Sequence, residues 1–121
     1  MNKNQEVKKV SPYPIDVRVP LEGKILVFQI LQLTERGFIA DTSEVVLKLA
    51  STIADSSFIL PLTGQMVSAP LRVVRNYDRP ILNSDKTISI QRLTEFHFQK
   101  LSNEQRKKIQ DFLIQTRRTT I

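Results

Sequence analysis

The run KILVFQILQL, residues 24–33, constrains this chain more than any other stretch. Its β-branched and aromatic content suits a pleated strand, and its near-continuous apolar character suits one covered by neighbours on both sides. It closes on Thr34-Glu35-Arg36-Gly37, and a second apolar run, FIADTS, follows at once. Two strands joined by so short a polar turn must lie antiparallel. Gly37 is expected to take a positive φ there, where a Cβ would clash.

Upstream, IDVRVPL alternates strictly, so Ile15, Val17, Val19 and Leu21 share one face of a half-buried strand. Pro20 removes a ladder donor and places this strand at an edge or near its end. Glu22-Gly23 turns the chain into the long run. Downstream, SSFILPLTG (56–64), APLRVVRNY (69–77) and TISIQRLTEFHFQKL (87–101) each contain a strand, and DRPILNSDK reads as a polar loop. EVVLKLAST, 44–52, is ambiguous. Val45, Val46, Leu49 and Ile53 fit a helical stripe that Ser43 could cap, while the β-branched content fits a strand or an irregular connection equally well.

The end of the chain changes period. Ser102-Asn103-Glu104-Gln105 has the form of a capping box, and Leu101, Ile109, Phe112 and Leu113 recur at helical spacing. A helix is expected over 103–116, packed by that stripe, with Arg106, Lys107 and Lys108 facing outward and Arg117-Arg118 at its C-terminal end. The pattern is mainly β: a small antiparallel six-stranded barrel with a C-terminal amphipathic helix, spanning residues 13–121, preceded by a flexible polar arm over 1–12.

Composition narrows function by exclusion. The 121 residues include no cysteine and one histidine, His97, which rules out thiolate zinc sites, Cys nucleophiles and multi-histidine metal centres. Asp41, Asp55, Asp78 and Asp85 are scattered over turns without metal-ligand spacing, and there is no phosphate loop. No catalytic or metal-binding residue is therefore assigned, and no cofactor. No run approaches 18 consecutive apolar residues, and MNKNQEVKKV lacks the apolar segment of a secretory signal, so a cytoplasmic location without membrane insertion is expected. The net charge of +6 favours anionic partners.

In this order of elements the chain resembles the PilZ family, bacterial domains associated with cyclic di-GMP signalling. Three stretches carry the resemblance: ILQLTERGFIAD, the FILPL and APLRVVRNYD pair, and EFHFQKLSNEQRKKIQDFLIQ. The match runs from about Pro14 to Arg117. It implies a split barrel with a C-terminal helix. It also implies a ligand site made by two motifs. One is a pair of arginines four apart in the arm before the first strand, which grip phosphate and stack on guanine. The other is Asp or Asn, then Ser two residues on, then Gly three further, at the turn after the second strand.

The second motif falls on Gln32-Leu33-Thr34-Glu35-Arg36-Gly37: the glycine matches, Thr34 keeps the hydroxyl, and Gln32 keeps an amide on a longer stem. The first falls on Lys8 and Pro12, or in a shifted register on Pro14 and Arg18, so neither register supplies two guanidinium groups. The resemblance then implies a non-catalytic adaptor in cyclic di-GMP-related regulation, which acts on an unidentified bacterial protein and binds the nucleotide weakly or not at all. The alternative is a direct cyclic di-GMP receptor using Lys8, Lys9, Gln32, Thr34, Arg36 and Gly37. Arg72, Arg75 and Arg79 are the candidate partner surface. A barrel binding single-stranded nucleic acid ranks third, because all six phenylalanines sit in the apolar phase and leave only Tyr13 and Tyr77 for stacking.

Overall fold

The computed structural model describes residues 14–43 and 45–119. The expected arm, with Lys8, Lys9, Pro12 and Tyr13, lies outside the described residues. From Ile15 onward one eight-stranded antiparallel sheet forms: β1 Ile15–Leu21, β2 Lys24–Leu33, β3 Gly37–Asp41, β4 Thr52–Ile53, β5 Ser57–Ile59, β6 Met66–Ser68, β7 Leu71–Leu82 and β8 Ile88–Phe98. A single helix, α1 Asn103–Thr119, follows. The spatial order is β4-β7-β8-β3-β2-β1-β5-β6, and β4 also packs against β1, which rolls the sheet into a small barrel.

Local chemistry explains most of these elements. Glu22 and Gly23 both take positive φ, 51° and 78°, the backbone of a two-residue hairpin turn whose twist matches its strands. The alternation of β1 appears directly as burial: Ile15, Val17 and Val19 are buried, while Asp16, Arg18 and Pro20 are exposed. Phenylalanines from four strands fill the interior. The ring centroids of Phe38 and Phe96 are 5.0 Å apart, those of Phe38 and Phe58 6.0 Å, and those of Phe58 and Phe98 6.2 Å. Such offset and tilted pairs add to the burial of large apolar side chains.

The helix closes this core with Ile109 and Phe112, both buried, flanked by Leu101 and Leu113. It runs three residues beyond the expected end, because nothing between 116 and 119 breaks it. Only half of the capping box forms. The Gln105 N–H donates to Ser102 Oγ at 3.1 Å, but the Gln105 side chain reaches across to accept from Ser68 N–H at 3.1 Å. Lys108 is likewise not an outward cation: its Nζ donates to the Met66 carbonyl at 3.0 Å.

Two expectations need correction, and one open reading resolves to the irregular connection. There are eight strands rather than six, since β4 and β6, at two and three residues, are too short to leave a pattern in the sequence. DRPILNSDK is a loop only over 83–86: β7 continues to Leu82, with Asp78 opposite Arg92 and Arg79 opposite Gln91 of β8. Segment 45–51 contains no helix; it runs as an irregular connection along β7, with Val46 and Leu49 exposed and Leu47 buried. A partly buried chain of hydrogen bonds holds it there. Asn76 Nδ2 donates to the Leu47 carbonyl, Thr94 Oγ1 donates to Asn76 Oδ1, and the Thr94 and Thr42 hydroxyls share a further bond, each at 2.6 Å.

Candidate ligand-binding groove

The site lies on the outer face of the sheet, where β2, β3, β8 and β7 run side by side. Cross-strand pairing brings Gln32 opposite Ile39, Ile39 opposite Glu95, and Glu95 opposite Arg75; one step along, Gly37 pairs with His97 and His97 with Arg72. Two β-bulges produce this alignment. On β2 the register shifts between Ile30 and Gln32, and on β7 between Val73 and Arg75. Simple alternation from the buried Ile30 and Val73 would turn Gln32 and Arg75 into the core. The extra residues Leu31 and Val74 re-aim both onto the outer face, a common use of a bulge beside a functional site.

The turn between β2 and β3 is held by its own atoms. The Thr34 N–H donates to the Gly37 carbonyl at 2.9 Å, and the Arg36 N–H donates to Thr34 Oγ1 at 3.2 Å. The Thr34 hydroxyl also reaches the Gly37 carbonyl, at 3.3 Å. On the far side the Phe98 N–H donates to the Arg36 carbonyl at 2.9 Å, which ties the turn to β8. Glu35 points away and accepts from Gln110 Nε2 of α1 at 3.0 Å.

Gly37 departs from expectation. Its φ is not in the left-handed region, and its requirement for glycine is close approach instead. A Cβ at this position would fall on the Phe96 carbonyl oxygen and within 2.8 Å of His97 Cα.

Gln32, Thr34, Arg36 and Gly37 thus come together, and they share a cavity of about 260 Å³ with Arg75, Glu95 and His97. Glu95 is the hub of the far wall. One carboxylate oxygen lies 3.1 Å from Arg75 Nη2, and the other lies 2.9 Å from His97 Nε2. The Arg75 guanidinium carbon sits 4.8 Å from the centroid of the Tyr77 ring, a cation–π contact that fixes its plane. The Arg36 side chain is exposed and has no hydrogen-bond or ionic partner among the described residues.

The three arginines expected to form one partner surface separate by role. Arg75 belongs to the groove. Arg72 lies opposite His97 but lines a neighbouring cavity with Leu49, Ala50 and Gln99. Arg79 is committed elsewhere: it donates to Gln91 Oε1 at 2.6 Å, and Gln91 in turn donates to Asp41 Oδ2 at 2.8 Å. Burial raises the affinity of the Asp41 carboxyl for its proton. The hydrogen bonds from Gln91 and Ser43, with the positive charge of Arg79, outweigh that and hold it below the ordinary value.

Glu95 and His97 are groove residues that sequence reasoning did not single out as ligand contacts. The alternation in EFHFQ, which sets Glu95 and His97 on the face opposite the buried Phe96 and half-buried Phe98, was the available signal. Among the described residues no cluster of three or more His, Asp or Glu could hold a metal ion, and no helix is long and apolar enough to cross a membrane.

No protein-family model and no curated protein matches this chain. Solved structures do. The PilZ domain of YcgR from Escherichia coli, with c-di-GMP, superposes with a TM-score of 0.78 at 15% identity over 90% of this chain and 85% of that one. MrkH, described as a c-di-GMP-dependent transcription regulatory factor, superposes with a TM-score of 0.75 at 14% identity over 86% of this chain and 46% of that one. MrkH of K. pneumonia in its apo state gives 0.74 at 12% identity, over 98% and 53%. The chain therefore spans most of the YcgR PilZ domain and about half the length of MrkH. It has the fold of a PilZ domain.

Proposed function

We propose that this chain is a non-catalytic signalling domain of the PilZ type, whose groove takes cyclic di-GMP and whose occupied state is read by a protein partner. One observation carries the reading. The two bulges turn Gln32 and Arg75 to the same face as Thr34, Arg36 and His97, so amide, hydroxyl, guanidinium and imidazole groups converge on one cavity. Polar groups in this variety, over an apolar floor of Phe38 and Ile39, suit a purine edge with a phosphate beside it. The YcgR domain of the same fold is described with c-di-GMP.

A second reading, an adaptor that acts without nucleotide, is favoured by the sequence of the arm, where Lys8 and Pro12 stand in place of two arginines. Losing two charge-assisted contacts of about 1.5–3 kcal/mol each would weaken binding by roughly 10² to 10⁴. Calorimetric titration with cyclic di-GMP at low salt separates the two. Saturable binding at micromolar Kd supports the receptor. Silence up to about millimolar nucleotide would sink it and leave the adaptor. Binding of single-stranded nucleic acid is disfavoured by the aromatic placement: Phe28, Phe38, Phe58, Phe96 and Phe112 are buried, and such binding needs exposed rings.

A further inference from the structure

We propose that Arg36 and Arg75 grip the nucleotide's phosphates from the barrel wall itself, and so supply the guanidinium pair that the arm sequence lacks. This rests on the reading of the groove as the nucleotide site.

Both arginines line the same cavity. Arg36 stands at the entry to β3 and Arg75 on β7, with β8 between those two strands. Across two strand spacings of about 4.8 Å, and with the offset along β8 from Glu95, opposite Arg75, to Phe98, level with Arg36, their backbones are roughly 14 Å apart. Side chains as long as arginine can converge from that separation on one phosphate, or each hold one of the two phosphates of a cyclic dinucleotide. The groove is small for a whole dinucleotide, at about 260 Å³. It therefore suits part of the ligand, with the rest lying over the exposed turn.

The two guanidinium groups are prepared differently. Arg75 is 61% exposed yet held in one orientation, by Glu95 at its edge and Tyr77 at its face. A guanidinium carries five N–H donors, more than that ion pair uses, so a phosphate can be added without breaking it. Arg36 has no side-chain partner to give up among the described residues. Neighbouring acids oppose an anion only weakly. Glu35 is turned to Gln110 of α1, and Glu95, the acid in the groove, is shared between Arg75 and His97.

The bulge at Val74 adds an independent argument. It interrupts the ladder of the longest strand pair in the sheet, and what it places on the outer face is Arg75. A regular strand would have sent that position toward the buried Val73 side. Arg72, which needs no bulge to face outward, lines the adjoining cavity and stands outside the proposed grip.

The test is calorimetric titration of the full chain with cyclic di-GMP, comparing wild type with Arg36→Ala, Arg75→Ala, Arg75→Lys and the double variant Lys8→Ala/Lys9→Ala. Arg36→Ala and Arg75→Ala should each weaken Kd by roughly 10- to 100-fold. Arg75→Lys should not restore it, because an ammonium lacks the planar fork. The double lysine variant should stay within about threefold of wild type, since an ammonium is a point charge without the planar fork that grips phosphate. Wild-type affinity in both arginine variants, or loss confined to the lysine variant, would overturn the grip while the nucleotide reading stands. A wild-type chain that binds no cyclic di-GMP overturns both together. Arg75 also anchors Glu95, so each variant's melting curve is recorded. If Arg75→Ala does not fold, Arg36→Ala, which removes no hydrogen bond or ion pair among the described residues, decides alone.

Discussion

Replacing Gly37 with alanine probes the turn most directly. Glycines that follow a polar turn are usually assigned to a left-handed backbone, and the cost of Ala there is about 1 kcal/mol, partly relieved by Asn. Gly37 sets a different problem. The added methyl meets two backbone groups of β8, the Phe96 carbonyl oxygen and the His97 Cα, the latter at 2.8 Å. Neither is the end of a flexible side chain, so relief requires β3 and β8 to part where Gly37 pairs with His97. Overpacking that forces backbone movement costs about 3 kcal/mol. In a domain of this size that lowers the melting temperature by roughly 10 °C. Thermal and urea denaturation of Gly37→Ala and Gly37→Asn against wild type reads the effect. Steric exclusion predicts that Asn is at least as damaging as Ala. Gly23, at φ 78° with nothing within 4 Å of its would-be Cβ, is the internal control where Asn should be milder than Ala. A Gly37→Ala loss below about 0.5 kcal/mol, or rescue by Asn, would refute the close-approach argument.

Two further outcomes follow from buried and half-buried polar groups. Thr94→Val strands the buried Thr42 hydroxyl and takes a donor from the half-buried Asn76, and urea unfolding should show a loss of about 1–3 kcal/mol; an unchanged midpoint would mean that the polar chain does not hold the 45–51 connection. Asp41 has its pKa below the ordinary 3.8 in the folded chain, so its contribution is fully present above that pH and is lost as acid is added toward the folded value. Acid unfolding of Asp41→Asn should accordingly show a shallower fall of stability below about pH 4 than wild type, and identical slopes would refute the role.

Much of the barrel could be read from the chain because apolar periodicity reports burial directly. β1 and the helix stripe Leu101, Ile109, Phe112 and Leu113 stand where alternation and helical spacing put them, whereas β2 forms over the expected run but is covered on one face only, with Ile25 and Val27 exposed. The far half of the β7–β8 hairpin could not be read that way. Arg79, Pro80, Leu82, Ile88 and Ile90 are exposed there, so no buried face imposes a period of two. The 45–51 connection stayed ambiguous for the opposite reason: Val45, Val46 and Leu49 match a helix by spacing, while the bonds that hold it, from Asn76 to the Leu47 carbonyl and between Ala50, Ser51 and Val73, come from a distant strand.

The groove was half legible. Its turn announced itself through Thr34 and Gly37, but the opposing wall depended on the bulge at Val74. A bulge inverts the parity of every residue after it and leaves no mark in composition. Arg75 therefore looked like one of three surface cations, and Gly37 looked like a turn glycine rather than a point of strand contact.

The side chains that α1 extends to β6 bear on solubility as well as fold. An outermost strand presents unpaired amides and carbonyls to any passing chain and is the natural place for intermolecular pairing to begin. Here the Ser68 amide is taken by Gln105 and the Met66 carbonyl by Lys108, so the helix occupies the positions that a foreign strand would need. At the other end the sheet stops with a strand of two residues, too short to template anything. The C-terminal helix is thus the guard that keeps a sheet with exposed Ile59 and Met66 at its margin from recruiting another of its kind.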